Sequence, residues 1–429
     1  MSNRSAFARR AGRVAVAVLG VFAFTHAISA DPKPKPSLAA ALVEARGALV
    51  LTDSGFSGDG AETLKAAVRE SRFVLLGEDH FSREIPRFAS MLCDIMKPDA
   101  FAVEAGPEAA AFVNGLLRSN ERRERIAERM RAHPNSMAFL DAIEESDSAA
   151  HCATTSKNPE FKLWGLDQEF VGATGTLLAA MEKTAPGKQS RAAIAALRTR
   201  AEAAESQARE SGDPGKVFLT SAKEADFSPL IEAVAADGND GTRALLDELL
   251  ISHKIYRLNS EGSPDSNRVR AELFKQHFLS AYTALGREID KPRVLFKFGD
   301  NHSGKGFSPL QVRDIGNFVA ELADGEKAHS LHIKILGVRG KHGIFGGFGK
   351  PLKDEPFVIT DYPGYKWLES AVAELLPRDG QVEGSTWTLF DLRKLRFRGI
   401  DLSPEWKRTV YGYDLLVLIP ELTSATLIQ

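Results

Sequence analysis

Seven short apolar runs rich in β-branched and aromatic residues constrain this chain most: 73–76, 101–103, 163–166, 294–298, 331–336, 387–389 and 415–419. Segments with helical spacing separate them, and strands that alternate with helices build an α/β fold around a mostly parallel central sheet flanked by helices. Two intervals lengthen the pattern. Residues 107–158 are helix-patterned and heavily charged, and 173–288 contain no convincing strand, so both read as helical insertions that form a cap over the strand carboxyl ends. On this reading residues 31–50 are a spacer and entry helix, and 51–429 are a single α/β domain.

Residues 1–30 have the pattern of a secretory signal. Arg4, Arg9, Arg10 and Arg13 precede a short apolar run at 14–24, and Ala27 and Ala30 are small enough for cleavage. The expectation is export to the periplasm or outside the cell, with no stable membrane insertion after cleavage. The leader carries four arginines and no acid, so the formal charge falls from −2 to −6 on its removal, which does not suit a nucleic-acid partner. Two cysteines are present, Cys93 and Cys152. An oxidising compartment allows them to pair, and a plain buried thiol is the alternative for Cys93.

Four of the seven runs end in ionisable residues. The first leads into Gly77-Glu78-Asp79-His80, the second into Glu104, the third into Asp167, and the fourth into Gly299-Asp300-Asn301-His302. One acid after a strand is commonly a helix cap. Four such ends are different, because ligands of open α/β sheets bind outside the carboxyl ends of the strands, where these residues would converge on a small-molecule substrate.

The same residues carry a resemblance. Leu75-Leu76-Gly77-Glu78-Asp79-His80, with Glu84 in the following helix, resembles the opening motif of the erythromycin esterase and ChaN-like superfamily. Phe101-Ala102-Val103-Glu104, Trp164-Gly165-Leu166-Asp167, a long helix at 267–282 with Arg270 and His277, Phe298-Gly299-Asp300-Asn301-His302 and a closing strand at 413–419 follow in the family's order. The resemblance implies a hydrolase that cleaves an ester or lactone without a metal. His80 would be the general base for water, supported by Glu78 or Glu104, His302 the acid for the leaving alkoxide, and Arg270 the oxyanion or carboxylate grip. Asp167, Asp300, Glu84 and His277 would line the substrate. Two alternatives use the same cluster: a divalent metal on His80, Glu104, Asp300 and His302, and haem or iron binding. The latter follows from the single residue between Glu78 and His80, which is closer to the ChaN-like form.

Other features carry less. His329 and His332 are three apart on an expected strand and face opposite sides. The glycine-rich stretch 343–350 departs from a phosphate loop at Ile344 and Pro351 and reads as a flexible rim loop. Ile85, Phe88, Leu92 and Ile95 have the spacing of a core-facing helix stripe. No Gly-x-Ser-x-Gly elbow is present, which disfavours covalent catalysis.

Overall fold

The computed structural model describes residues 35–373 and 386–429. The secretory leader expected at 1–30 lies outside them. Among the described residues ten strands form one sheet: β1 (Arg46–Thr52), β2 (Gly55–Ser57), β3 (Phe73–Glu78), β4 (Ala100–Val103), β5 (Lys162–Gly165), β6 (Val294–Gly299), β7 (Ser330–Ile344), β8 (Lys353–Val358), β9 (Thr386–Asp391) and β10 (Leu415–Leu422). Their order is β2-β1-β9-β10-β7-β3-β6-β4-β5, with β8 paired to the far half of β7. The six strands from β10 to β5 are parallel, and β9, β1 and β2 extend the sheet in antiparallel fashion. The expected mixed, mostly parallel α/β architecture is therefore the one observed.

Burial on both faces explains why the central strands read as unbroken apolar runs. Along β3, Val74 and Leu76 join the core beneath the helix Glu84–Met96, while Phe73 and Leu75 pack on the opposite side with Phe274, Phe278 and Phe296. The stripe of Ile85, Phe88 and Leu92 is fully buried in the first of these cores, with Ile95 packed against it. Cys93 and Cys152 form a disulfide that ties this helix to the helix Ile143–Thr155.

Between β5 and β6 the chain forms a helical lobe. It includes the helices Thr174–Thr184, Lys188–Ser211, Asp240–Ser260 and Asp265–Leu285, and has an apolar centre of its own around Leu177, Met181, Phe218, Phe227 and Leu249. Among the described residues no helix is long and apolar enough to cross a membrane. Two local expectations are corrected. His329 precedes β7, so only His332 lies within it, where its buried ring hydrogen-bonds to the Ser303 carbonyl. The 343–350 stretch is docked on the helical lobe: Phe348 is buried and its N–H donates to Gly212 O, and Gly349 N–H donates to Asn135.

Candidate active site

β3, β6, β4 and β5 are consecutive neighbours in the sheet and parallel. Their carboxyl ends therefore lie side by side, and the ionisable residues that follow them are brought together. Glu104 is the hub. Its Oε1 accepts from Arg270 Nη2 at 2.7 Å and its Oε2 accepts the Gly299 N–H at 2.6 Å. His80 Nε2 faces Oε2 at 3.4 Å, and His302 Nε2 faces Oε1 at 3.5 Å. One carboxylate thus meets two histidines, one on each oxygen.

Each histidine is also held from behind. His80 Nδ1 lies 2.9 Å from Glu78 Oε1, and its ring stacks on Phe139 at 4.2 Å between centroids with 16° between planes. His302 Nδ1 lies 2.8 Å from Asp314 Oδ2. Asp314 caps the helix Ile315–Gly325 with its other oxygen, so helix start and histidine are set by one side chain. The His302 side chain is 7% exposed and that of His80 28%, which makes His80 the side open to an incoming molecule.

Arg270 enters from the helical lobe. Its Nε and Nη2 grip Asp167, Nε also reaches Gln168 at 3.0 Å, and Nη1 points at His302 Nε2 from 3.4 Å. Behind Glu78, Lys297 is buried within β6 and bonded to both Glu78 and Glu145. Neither Lys297, Glu145, Asp314 nor Phe139 stood out in the sequence. Lys297 was hidden inside an apolar run, although a lysine at a buried strand position is itself a signal for a carboxylate partner.

The charges follow from these contacts. Burial by itself would lower His80, but the Glu104 charge and hydrogen bond, then those of Glu78, raise it to about 10. Burial would raise Glu104, yet His302, His80 and Arg270 beside it hold it well below the ordinary carboxylate range. Burial lifts Glu145 to about 7 against the pull of Lys297. By linkage, the His80 charge stabilises the fold fully below the ordinary histidine value of 6.5, and this contribution fades as pH rises through about 10.

Two glycines make the cluster sterically possible. A Cβ on Gly77 would lie 3.1 Å from both Asp300 Cα and Ser303 Cβ, so glycine lets the short helix Asp300–Ser303 rest on β3. A Cβ on Gly299 would lie 2.8 Å from His80 Nε2 and 3.3 Å from Glu104 Oε2. Gly299→Ala is therefore expected to push the imidazole off Glu104 and lower kcat by about 10- to 100-fold with little change in melting temperature, measured on any ester the protein turns over.

The remaining candidates go elsewhere. Asp300 is paired with Lys334 rather than with a histidine, and Glu84 is spent on Thr423, accepting from its N–H at 3.0 Å and its hydroxyl at 2.6 Å. His277 borders the cluster, with Nδ1 on Leu166 O and Nε2 on Glu248. The set proposed for a divalent ion does not fit one: Asp300 is occupied by Lys334 and Glu104 by Arg270. Among the described residues no group of three or more histidine, cysteine or acidic side chains is arranged to hold a metal. A cavity of about 100 Å³ is lined by Asp300, Asn301, Lys334, Tyr365, Trp367 and Tyr413, and none of His80, Glu104, His302 and Arg270 is among its lining residues.

No family model matches the chain, and no curated protein matches it. Solved structures do. A succinoglycan biosynthesis protein is 12% identical, with a TM-score of 0.50 over 86% of this chain and 93% of its own. A histidine variant of the erythromycin esterase EreC, in its open conformation, is 16% identical, with a TM-score of 0.58 over 90% of this chain and 99% of its own. Strand ends, helical lobe and sheet together thus have the fold of an erythromycin esterase, along nearly the whole of both chains.

Proposed function

We propose that the protein is an exported hydrolase that cleaves an ester or lactone by paired acid–base catalysis. The observation that supports this most is the placement of two histidines on the two oxygens of Glu104. Such a pair serves hydrolysis when one ring is charged and the other neutral.

Carboxylates flank both rings, but His302 Nε2 also faces Arg270 Nη1, which can only donate, at 3.4 Å, so His80, held between Glu78 and Glu104, is the charged partner and hence the acid. His302, with Nδ1–H donating to Asp314, presents its Nε2 lone pair and is the base. The roles are thereby exchanged relative to those the family resemblance implies. In the proposed reaction His302 Nε2 takes a proton from water as the oxygen attacks the carbonyl carbon. Arg270 Nη1, the guanidinium nitrogen not engaged with Asp167 or Glu104, stabilises the oxyanion. His80 then protonates the departing alkoxide. Proton exchange with solvent then returns His302 to its neutral form and His80 to its charged form, while Glu104 stays ionised between the two rings.

An assay of the protein without its leader against alkyl esters, aryl esters, lactones and amides tests this. The expected result is ester or lactone turnover with a bell-shaped pH profile. Its alkaline limb should lie near 10, because activity needs protonated His80 and is lost as pH rises through that value. No turnover of any substrate, together with a Soret band on adding haem, would move the assignment to ligand binding.

A further inference from the structure

The loop that carries His80 and the loop that carries Phe139 belong to different parts of the chain, yet each has a phenylalanine in the left-handed backbone region. Phe81 has φ 58° and Phe139 has φ 60°. This region is costly for any residue with a side chain, and it is retained where surrounding contacts over-determine it. The two rings meet at 5.0 Å, and Phe139 lies flat on the imidazole of His80.

A third segment, 423–429, over-determines both. On one side Ala425 N–H donates to Phe81 O at 2.8 Å, Arg83 N–H donates to Thr423 O at 3.0 Å, and Arg83 Nε donates to Ser424 O at 2.8 Å. Glu84 accepts from Thr423 as described above. On the other side Ile143 N–H donates to Thr426 O at 2.8 Å, Thr426 N–H donates to Glu144 at 2.9 Å, and Ile428 N–H donates to Asp141 O at 2.8 Å. The segment is thus a stitch, with residues 423–426 bonded to the His80 loop and 426–428 bonded to the Phe139 loop. The loops also meet directly, through their ring contact and through an Arg83–Glu144 ion pair.

We infer that residues 423–428 are a positioning element of the active site, which holds Phe139 against His80 and thereby keeps that ring aligned between Glu78 and Glu104. This deepens the reading of His80 as the acid and rests on it. Among the described residues, none of the stitch residues hydrogen-bonds to the histidines or Glu104, so their action is through the two phenylalanine loops. The groups that set the His80 charge are Glu78 and Glu104, with Lys297, Glu145, Arg270 and His302 behind them. Loosening the stitch at Ala425 removes a bond to the His80 loop and none of the hydrogen bonds among these groups.

The test is Ala425→Pro in the whole chain, which removes the N–H that bonds to Phe81 O and suits an extended neighbour. Histidine-selective NMR titration is read alongside steady-state kinetics. With melting temperature kept, the His80 titration should fall from about 10 towards 6.5, the alkaline limb should follow it, and kcat should drop by about tenfold at unchanged KM. Phe139→Leu, which removes the ring and leaves every bond of the stitch, should reproduce the kcat loss and is decisive if the proline variant fails to fold. Wild-type titration and kcat in a folded Ala425→Pro protein, or in Phe139→Leu, would overturn the inference. If the unaltered protein cleaves no ester, the hydrolase reading fails, but the NMR comparison still decides whether the stitch aligns His80.

Discussion

Replacing His80 with alanine is expected to slow hydrolysis of an alkyl ester by about 10²- to 10⁴-fold while slowing a p-nitrophenyl ester of the same acid by less than about tenfold. An alkoxide is too basic to leave without a proton, whereas p-nitrophenoxide departs unaided, so only the first substrate needs a general acid. His302→Ala should slow both substrates alike, by about 10²- to 10⁴-fold, because both need an activated water. The pH profiles add a second readout. With the alkyl ester the unaltered protein should show the alkaline limb near 10, and His80→Ala should lose it. Should His80→Ala abolish both reactions equally and His302→Ala spare the aryl ester, His80 is the base after all.

The second large effect concerns stability. Lys297 is 4% exposed, within a strand buried at every position, and is the cation shared by Glu78 and Glu145. Lys297→Met fits the space but leaves the two carboxyls buried without it, and it is expected to lower unfolding free energy in urea by about 3–5 kcal/mol. Most of this should return in the double variant Lys297→Met with Glu145→Gln, since glutamine needs no counter-charge and Glu78 keeps His80. If the double variant is as unstable as the single one, the loss comes from packing around the lysine stem and not from unpaired charge.

The acid-bearing strand ends were legible in the sequence because two physical demands coincide there. A strand buried on both faces must be apolar, and a ligand site at its end must be polar, so β3, β4, β5 and β6 announce themselves by an abrupt change of composition. Strands without that contrast were missed. β1 and β2 pair only with each other and β9 near the sheet edge and carry mixed residues, while β8 is a charged, proline-containing strand paired to the far part of β7. That pairing also takes β7 to Ile344, well past the apolar run that marked it. Within the site, Asp314 escaped notice because a helix-capping aspartate is what its surroundings predict, and nothing local reports that its second oxygen holds a histidine. Glu84 shows the converse: its position in the opening motif suggested a substrate contact, and its carboxylate instead secures Thr423. Partners hundreds of residues apart leave no mark on the local pattern.

Arg270 gives the helical lobe a particular evolutionary standing. Among the described residues, the lobe side chain hydrogen-bonded to Glu104 and Asp167 is this guanidinium, carried on one helix. Helix lengths, loop sequences and the lobe's own apolar centre can therefore drift or be exchanged to admit differently shaped substrates, while the proton-handling residues stay fixed on the strand ends. Selection for a new substrate would act on one part of the molecule, and selection for turnover on another, with Arg270 among the links both must preserve.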